Sequence, residues 1–280
     1  MRIRAGDHDA RIAAAGGGGE RCPFADYNCA VDAPLTDWPY QPAAYSKSLA
    51  IIVPYRDRAA HLARFLPHME AYFRRDKLDR HLRYTIHVVE QLGTERFNRG
   101  RLNNAGFRLA RPDADYVAFH DVDYLPIWAD YSYVRRPTRL IWYGLALREN
   151  YDQFFGAVTA FNCADFERVN GFSNDYWGWG FEDTDLHRRC LRAGLAIDHR
   201  DGTYQPLPHE HRGFRTDGGL TDEARATAAL FEEKATGPAD RHLADGLSSL
   251  RFETVETRSG ASAEDGRPLP QIRHHFIRWT

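Results

Sequence analysis

The apolar residues of this 280-residue chain fall into short runs separated by helical stretches. Leu49-Ala50-Ile51-Ile52-Val53-Pro54 is a continuous apolar run of the kind that forms a central parallel strand, buried on both faces. Leu62, Phe65, Leu66, Met69, Tyr72 and Phe73 follow on one helical face. Tyr84 to Glu90 predicts a second strand, Phe97 to Ala110 a turn and second helix, and Tyr116 to Phe119 a third strand. Phe154 to Phe161 predicts a further strand, and Cys163 to Val169 a short helix closed by the turn Asn170-Gly171. From Glu182 the positions Leu186, Cys190 and Leu191 take helical spacing up to Gly194, with carboxylates at the start and arginines in the last turns. Tyr204 to Pro208 reads as extended and Leu220 to Lys234 as a helix. Leu250 to Thr257 alternates and predicts a strand whose partner is Ile272 to Trp279. Strand and helix alternating in this way predict an α/β domain over 47–280. Residues 1–46, rich in Gly, Ala, Pro and Asp, form an irregular N-terminal arm in this reading.

Composition narrows the picture without changing it. A net charge of -2 with 43% hydrophobic and 13% aromatic residues suits a full core. Near-neutrality gives no reason to expect nucleic acid as a partner. No apolar run approaches the ~20 residues of an integral membrane segment, and the N-terminus lacks the apolar centre of a signal peptide. The expectation is a cytoplasmic protein. Of the cysteines at 22, 29, 163 and 190 none forms a Cys-x-x-Cys pair, so neither zinc nor redox chemistry is indicated. A disulfide between Cys22 and Cys29 stays open, with the reduced state the safer expectation.

The chemistry gathers at the loop Tyr176-Trp177-Gly178-Trp179-Gly180-Phe181 and the acids Glu182, Asp183 and Asp185 behind it. Acidic first-turn residues alone describe a capped helix. Glycines bury nothing, however, so packing explains the tryptophans poorly and a loop that passes close to a ligand explains both. An indole platform beside carboxylates is the usual chemistry for holding a sugar. Asp121 and Asp123, at i and i+2 just beyond a buried strand, need a partner in an apolar setting, and a divalent cation supplies one. His209 and His211 share a strand face, a weak signal by itself. Arg56 and Arg58 follow the first strand and Arg99 the second, where α/β folds collect ligands.

In order along the chain, Pro54-Tyr55-Arg56-Asp57-Arg58, Phe97-Asn98-Arg99, Asp121-Val122-Asp123, Gly171-Phe172-Ser173-Asn174, the Trp-Gly-Trp-Gly-Phe-Glu-Asp block and Asp245-Gly246-Leu247-Ser248-Ser249-Leu250 resemble the beta-1,4-galactosyltransferase family. The resemblance runs from about Ile51 to about Phe252 and leaves out the arm. It implies a GT-A fold, one α/β domain with a mostly parallel sheet that binds a UDP-sugar at its strand ends. It also implies inverting, Mn2+-dependent transfer of galactose from UDP-galactose to the 4-hydroxyl of a saccharide acceptor. Carried onto this chain, it makes Asp183 the general base and Glu182 the group that binds a donor-sugar hydroxyl, with Trp179 packed on the sugars. Asp123, His209 and His211 become the metal ligands. Pro54, Tyr55, Arg56, Arg58, Phe97, Arg99, Asp121 and Arg148 become nucleotide-binding residues, Tyr55 and Phe97 flanking the uracil and Asp121 the ribose.

Two departures are visible. Thr184 stands where the family has a third acid, which Asp185 restores one position later, and Phe154 stands where galactose-preferring members carry Tyr. UDP-N-acetylgalactosamine as donor, or a non-catalytic sugar- or nucleotide-binding module, is the alternative reading.

Overall fold

The computed structural model describes residues 47–75, 82–141, 154–209, 213, 215, 219–238, 240–262 and 268–280. The arm at 1–46, Arg148 and His211 therefore lie outside the described residues. The expected opening strand is β1 (Ser48–Tyr55), and α1 (Ala59–Arg75), β2 (Arg83–Gln91), α2 (Arg99–Ala110) and β3 (Tyr116–His120) follow as the sequence predicts. Next come β4 (Tyr124–Ala129), β5 (Thr138–Arg139), β6 (Val158–Asn162) and α3 (Cys163–Arg168). The chain continues through α4 (Glu182–Arg192), β7 (Asp198–His199), β8 (Gly202–Pro206) and α5 (Asp222–Thr236), and ends with β9 (Phe252–Ser262) and β10 (Pro268–Trp279).

Eight strands make one mixed sheet in the order β7-β5-β6-β3-β1-β2-β10-β9, and β4 with β8 makes a separate two-stranded sheet. The centre is parallel, with β1 between β2 and β3, and β2 also pairs in parallel with β10. This is the α/β architecture expected, with antiparallel pairings at β6 and β9. Alternation along β1 sends Leu49, Ile51 and Val53 into the core beneath α1, with Phe65, Met69 and Phe73. Ala50 and Ile52 pack the other face with Leu102, Phe107, Phe166 and Leu186 from α2, α3 and α4. Each large side chain buried this way contributes about 1.5–3 kcal/mol.

The strand expected over Phe154 to Phe161 begins only at Val158. Ala157 has φ of +56, which breaks the extended run and leaves 154–156 as a loop beside the strand ends. The sequence reading also missed β4, β5 and β7. No helix among the described residues is long and apolar enough to cross a membrane.

Three buried imidazoles give the core an acid-sensitive stability. His87 Nδ1 lies 3.0 Å from His275 Nε2 across the β2/β10 pairing, and His120 packs under β3 against Phe65 and Tyr131. Burial, reinforced by neighbouring positive charge, pushes His87 down to about 3, His275 to about 4 and His120 to about 4 from an ordinary 6.5. Because the folded values lie below the unfolded one, stability is complete above pH 6.5 and is lost as pH falls toward 4. The loss by pH 5 is about 2 kcal/mol per independent group, the His87–His275 pair counting as one unit. Because the raised carboxyl of Glu182 gains stability over the same range, the contribution of His120 shows in a difference: the melting temperature of His120→Phe relative to wild type is expected to rise as pH falls from 7.5 to 5.

Candidate active site

The site is built at the C-terminal ends of β1, β2 and β3. Tyr55, Gln91 and His120 end those strands, and the antiparallel β6 starts at the same edge, with Asp121 N donating to Ala157 O at 2.9 Å. Asn98 caps α2 by accepting from Arg101 N, which sets Arg99 in the first turn, facing the same edge. There Arg99 Nε donates to Asp121 Oδ1 at 2.6 Å and its NH1 to Glu182 Oε1 at 3.2 Å. The guanidinium ties the end of β3 to the start of α4.

Burial works against the charge on Arg99, but Asp121, Glu182 and Asp183 overcome it and keep it ionised. Burial pushes the carboxyls of Asp121 and Glu182 upward, Glu182 to about 7, with Asp183 adding to the rise and Arg99 opposing it. Arg99, expected on the nucleotide, is thus engaged first with two acids, and Asp121, expected at the ribose, with Arg99.

The loop before α4 has left-handed backbone at Gly178, Gly180 and Phe181, with φ of +97, +101 and +70. A left-handed Phe is costly and is held by its neighbours. Gly178 N donates to Phe97 O at 2.7 Å and Thr227 Oγ1 to Trp179 O at 2.8 Å. The two indoles divide the work. Trp177 stands edge-on to Trp279 at 6.5 Å with Arg101 over both rings, a structural anchor. The ring of Trp179 lies against Gly213.

Asp183 opens α4 with Oδ1 accepting from Thr184 N at 2.7 Å and from Thr184 Oγ1 at 3.3 Å. Its Oδ2 faces Gly156, where an added Cβ would stand 2.5 Å from that oxygen and 3.0 Å from the Phe154 ring. Gly156→Ala should therefore displace the carboxylate, and displacements of that size cost up to about 100-fold in rate. We expect at least a tenfold drop in kcat with little change in melting temperature. Asp185 does not restore the missing acid. It is 5% exposed and turned inward, its Oδ2 accepting from Arg189 Nε at 2.7 Å.

Asp123 and His209, both read as metal ligands from the resemblance, lie side by side. β4 and β8 pair antiparallel, and Leu207 N donates to Asp123 O at 2.6 Å, so the residues flanking the pair converge. His209 Nδ1 sits 2.9 Å from Asp123 Oδ2. One carboxylate and one imidazole side by side are oxygen and nitrogen donors suited to a borderline divalent metal, although no group of three or more such donors occurs among the described residues. On the other flank, Arg56 NH1 donates to Glu95 O at 2.6 Å and its guanidinium lies over the Phe97 ring at 5.5 Å. Tyr55 is 6% exposed and edge-on to His274, and Pro54 is buried in register with Val89. Arg58 O accepts from His61 N and Leu62 N and starts α1. His61 and Gly156, both at this edge, carry no signal that the sequence reading used.

Two family models match end to end, the N-terminal region of glycosyl transferase group 7 over residues 35–134 and the N-terminal domain of galactosyltransferase over 139–212. Beta-1,4-galactosyltransferase 7 of Drosophila melanogaster is 31% identical over 226 residues, 78% of this chain and 66% of the relative. The chain belongs to the beta-1,4-galactosyltransferase family. Beta-1,4-galactosyltransferase 5 of Mus musculus is 38% identical over 177 residues, 59% of this chain and 44% of that protein. The chain thus spans between about half and two thirds of these family members. The solved catalytic domain of the Drosophila beta-1,4-galactosyltransferase 7 in complex with xylobiose superposes with a TM-score of 0.65 at 28% identity, covering 84% of this chain and 94% of that one. A mutant of the same enzyme has been solved with manganese, UDP-Gal and xylobiose. The GT-A fold expected from the sequence is therefore the fold of this family member.

Proposed function

We propose that this chain transfers galactose from UDP-galactose to a sugar hydroxyl with inversion. The observation that carries the reading is the charged chain Asp121–Arg99–Glu182, which ties the nucleotide edge of the sheet to the helix that bears Asp183. Asp183 takes the proton of the attacking acceptor hydroxyl on Oδ2, while Thr184 holds Oδ1 and fixes the orientation of the carboxylate. Glu182 receives a donor-sugar hydroxyl, and Trp179 offers an apolar face to the sugars. Arg56 and Phe97 meet the nucleotide with Tyr55 and Pro54 behind them, and Arg58 and Arg148 add positive charge there.

The residues fit a divalent metal. Asp123 and His209 would hold it with His211 as a third donor, and Mn2+ suits this mixed oxygen and nitrogen set. The cation would neutralise charge that develops on the diphosphate as the glycosidic bond breaks. Left-handed glycines at 178 and 180 would let the tryptophan loop close over the donor and exclude water.

The experiment is UDP release from UDP-galactose with N-acetylglucosamine, xylose and glucose as acceptors, with and without Mn2+, and with UDP-N-acetylgalactosamine as a second donor. Manganese-dependent turnover with UDP-galactose supports the proposal. Turnover with the acetamido donor alone would overturn the donor assignment. Manganese-dependent UDP binding without turnover would leave a binding module.

A further inference from the structure

We infer that His61, on the first turn of α1, is a positioning residue that sets His209 for metal binding. The inference rests on the metal reading above and adds a residue to it. One face of α1 carries His61, His68 and Tyr72, seven and then four residues apart, a spacing that aligns side chains along a helix. All three reach the backbone of the β4–β8 sheet or its immediate extension. Tyr72 Oη donates to Ala129 O at 2.8 Å and accepts from Ala129 N at 2.9 Å. His68 Nε2 meets Pro126 O at 2.7 Å, and His61 Nε2 meets Pro208 O at 3.2 Å. A carbonyl only accepts, so both imidazoles carry their proton on Nε2. The helix thus grips the small sheet at the far end of β4, in its middle, and beyond the end of β8.

That third grip falls one residue before His209. The proline ring fixes φ at Pro208 and the Pro208–His209 peptide is planar, so anchoring its carbonyl orients the peptide plane from which His209 departs. Leu207 is already tied to Asp123. With both ends of Leu207–Pro208 held, the His209 ring is delivered to Asp123 at 2.9 Å, and His61 backs it edge-on at 6.4 Å between ring centres. His61 acts on the backbone that carries a ligand, so its loss should loosen the metal and spare the chemistry.

The test is titration of the full chain with Mn2+ alone, followed by electron paramagnetic resonance of the free ion, for wild type, His61→Ala, His61→Leu, His61→Gln and Asp123→Asn. Loss of an outer partner bonded directly to a ligand weakens metal binding roughly 10–100-fold, and because His61 acts through the backbone we expect the lower end of that range, about tenfold, for His61→Ala and His61→Leu. His61→Gln, whose amide nitrogen takes the place of Nε2, should return to within about threefold of wild type, that is, well short of that loss. At saturating Mn2+ the kcat of His61→Ala should equal that of wild type, with only the half-saturating metal concentration moved. Wild-type affinity in both His61→Ala and His61→Leu would overturn the inference while Asp123→Asn still loses the metal. Loss in His61→Gln as deep as in His61→Ala would also overturn it, by making the imidazole itself a ligand. Undiminished binding in Asp123→Asn would instead remove the metal reading on which the inference stands.

Discussion

Asp183→Asn is expected to lower transfer by about 100- to 10,000-fold while UDP and Mn2+ still bind. The substitution keeps the volume of the side chain at the start of α4. Its amide oxygen can still accept from Thr184 N, which now holds Asp183 Oδ1 at 2.7 Å. The amide nitrogen then occupies the position of Oδ2, opposite Gly156, and presents a donor where the reaction needs an acceptor for the proton. Single-turnover transfer from UDP-galactose, beside calorimetric binding of UDP with Mn2+, separates the two effects. More than a tenth of wild-type turnover would remove Asp183 from the role of base, and loss of UDP binding would show that the side chain holds the donor instead.

Arg99→Ala should have the largest effect on stability. It removes the counter-charge from Asp121 and Glu182, with Glu182 Oε1 and Asp121 Oδ1 both left in a site where Arg99 itself is only 14% exposed. Breaking a buried ion pair from one side costs about 3–5 kcal/mol. For a domain of this size that is a fall in melting temperature of roughly 6–20 °C. The penalty depends on pH in a definite direction. The folded value of Glu182, about 7, lies above its unfolded value, so its cost is absent below about pH 4.5 and complete above pH 7. Without Arg99 the carboxyl rises further, and the gap between variant and wild type widens as pH increases from 5 to 8. A gap that narrows with pH would mean the carboxylates find other partners.

These expectations mark where the sequence stops being informative. The run from Leu49 to Pro54 names its own place in the sheet, because a strand apolar at every position can only be central. The acids and the tryptophan loop were legible for a similar reason, since packing did not account for their composition. The meeting of Asp123 with His209 was not legible as geometry, because it depends on β4, whose Pro126 and irregular pattern hide a strand that pairs with residues about eighty positions away. Arg99 read as one of three basic residues at strand ends, and nothing local shows that its fork closes on Asp121 and Glu182. Asp183 and Asp185 are the same residue type two positions apart, yet a helix turns about 200° over that step. One faces Gly156 and the other is sealed against Arg189.

The position of β10 has a consequence for how the molecule is made. Ile272 pairs with Ile86 in the interior of the eight-stranded sheet, so β2 keeps an open edge until the ribosome has synthesised almost every residue described here. Parallel pairing over that sequence distance is slow, and an apolar strand left waiting is exposed to other chains. Ile272 to Ile277 close that edge, and Trp279 at the end of the same strand docks beside Trp177 at the root of the tryptophan loop. A chain released before β10 would lack the strand that covers β2 and the Trp279 footing of the tryptophan loop, so on the proposed function transfer would wait until β10 had been made.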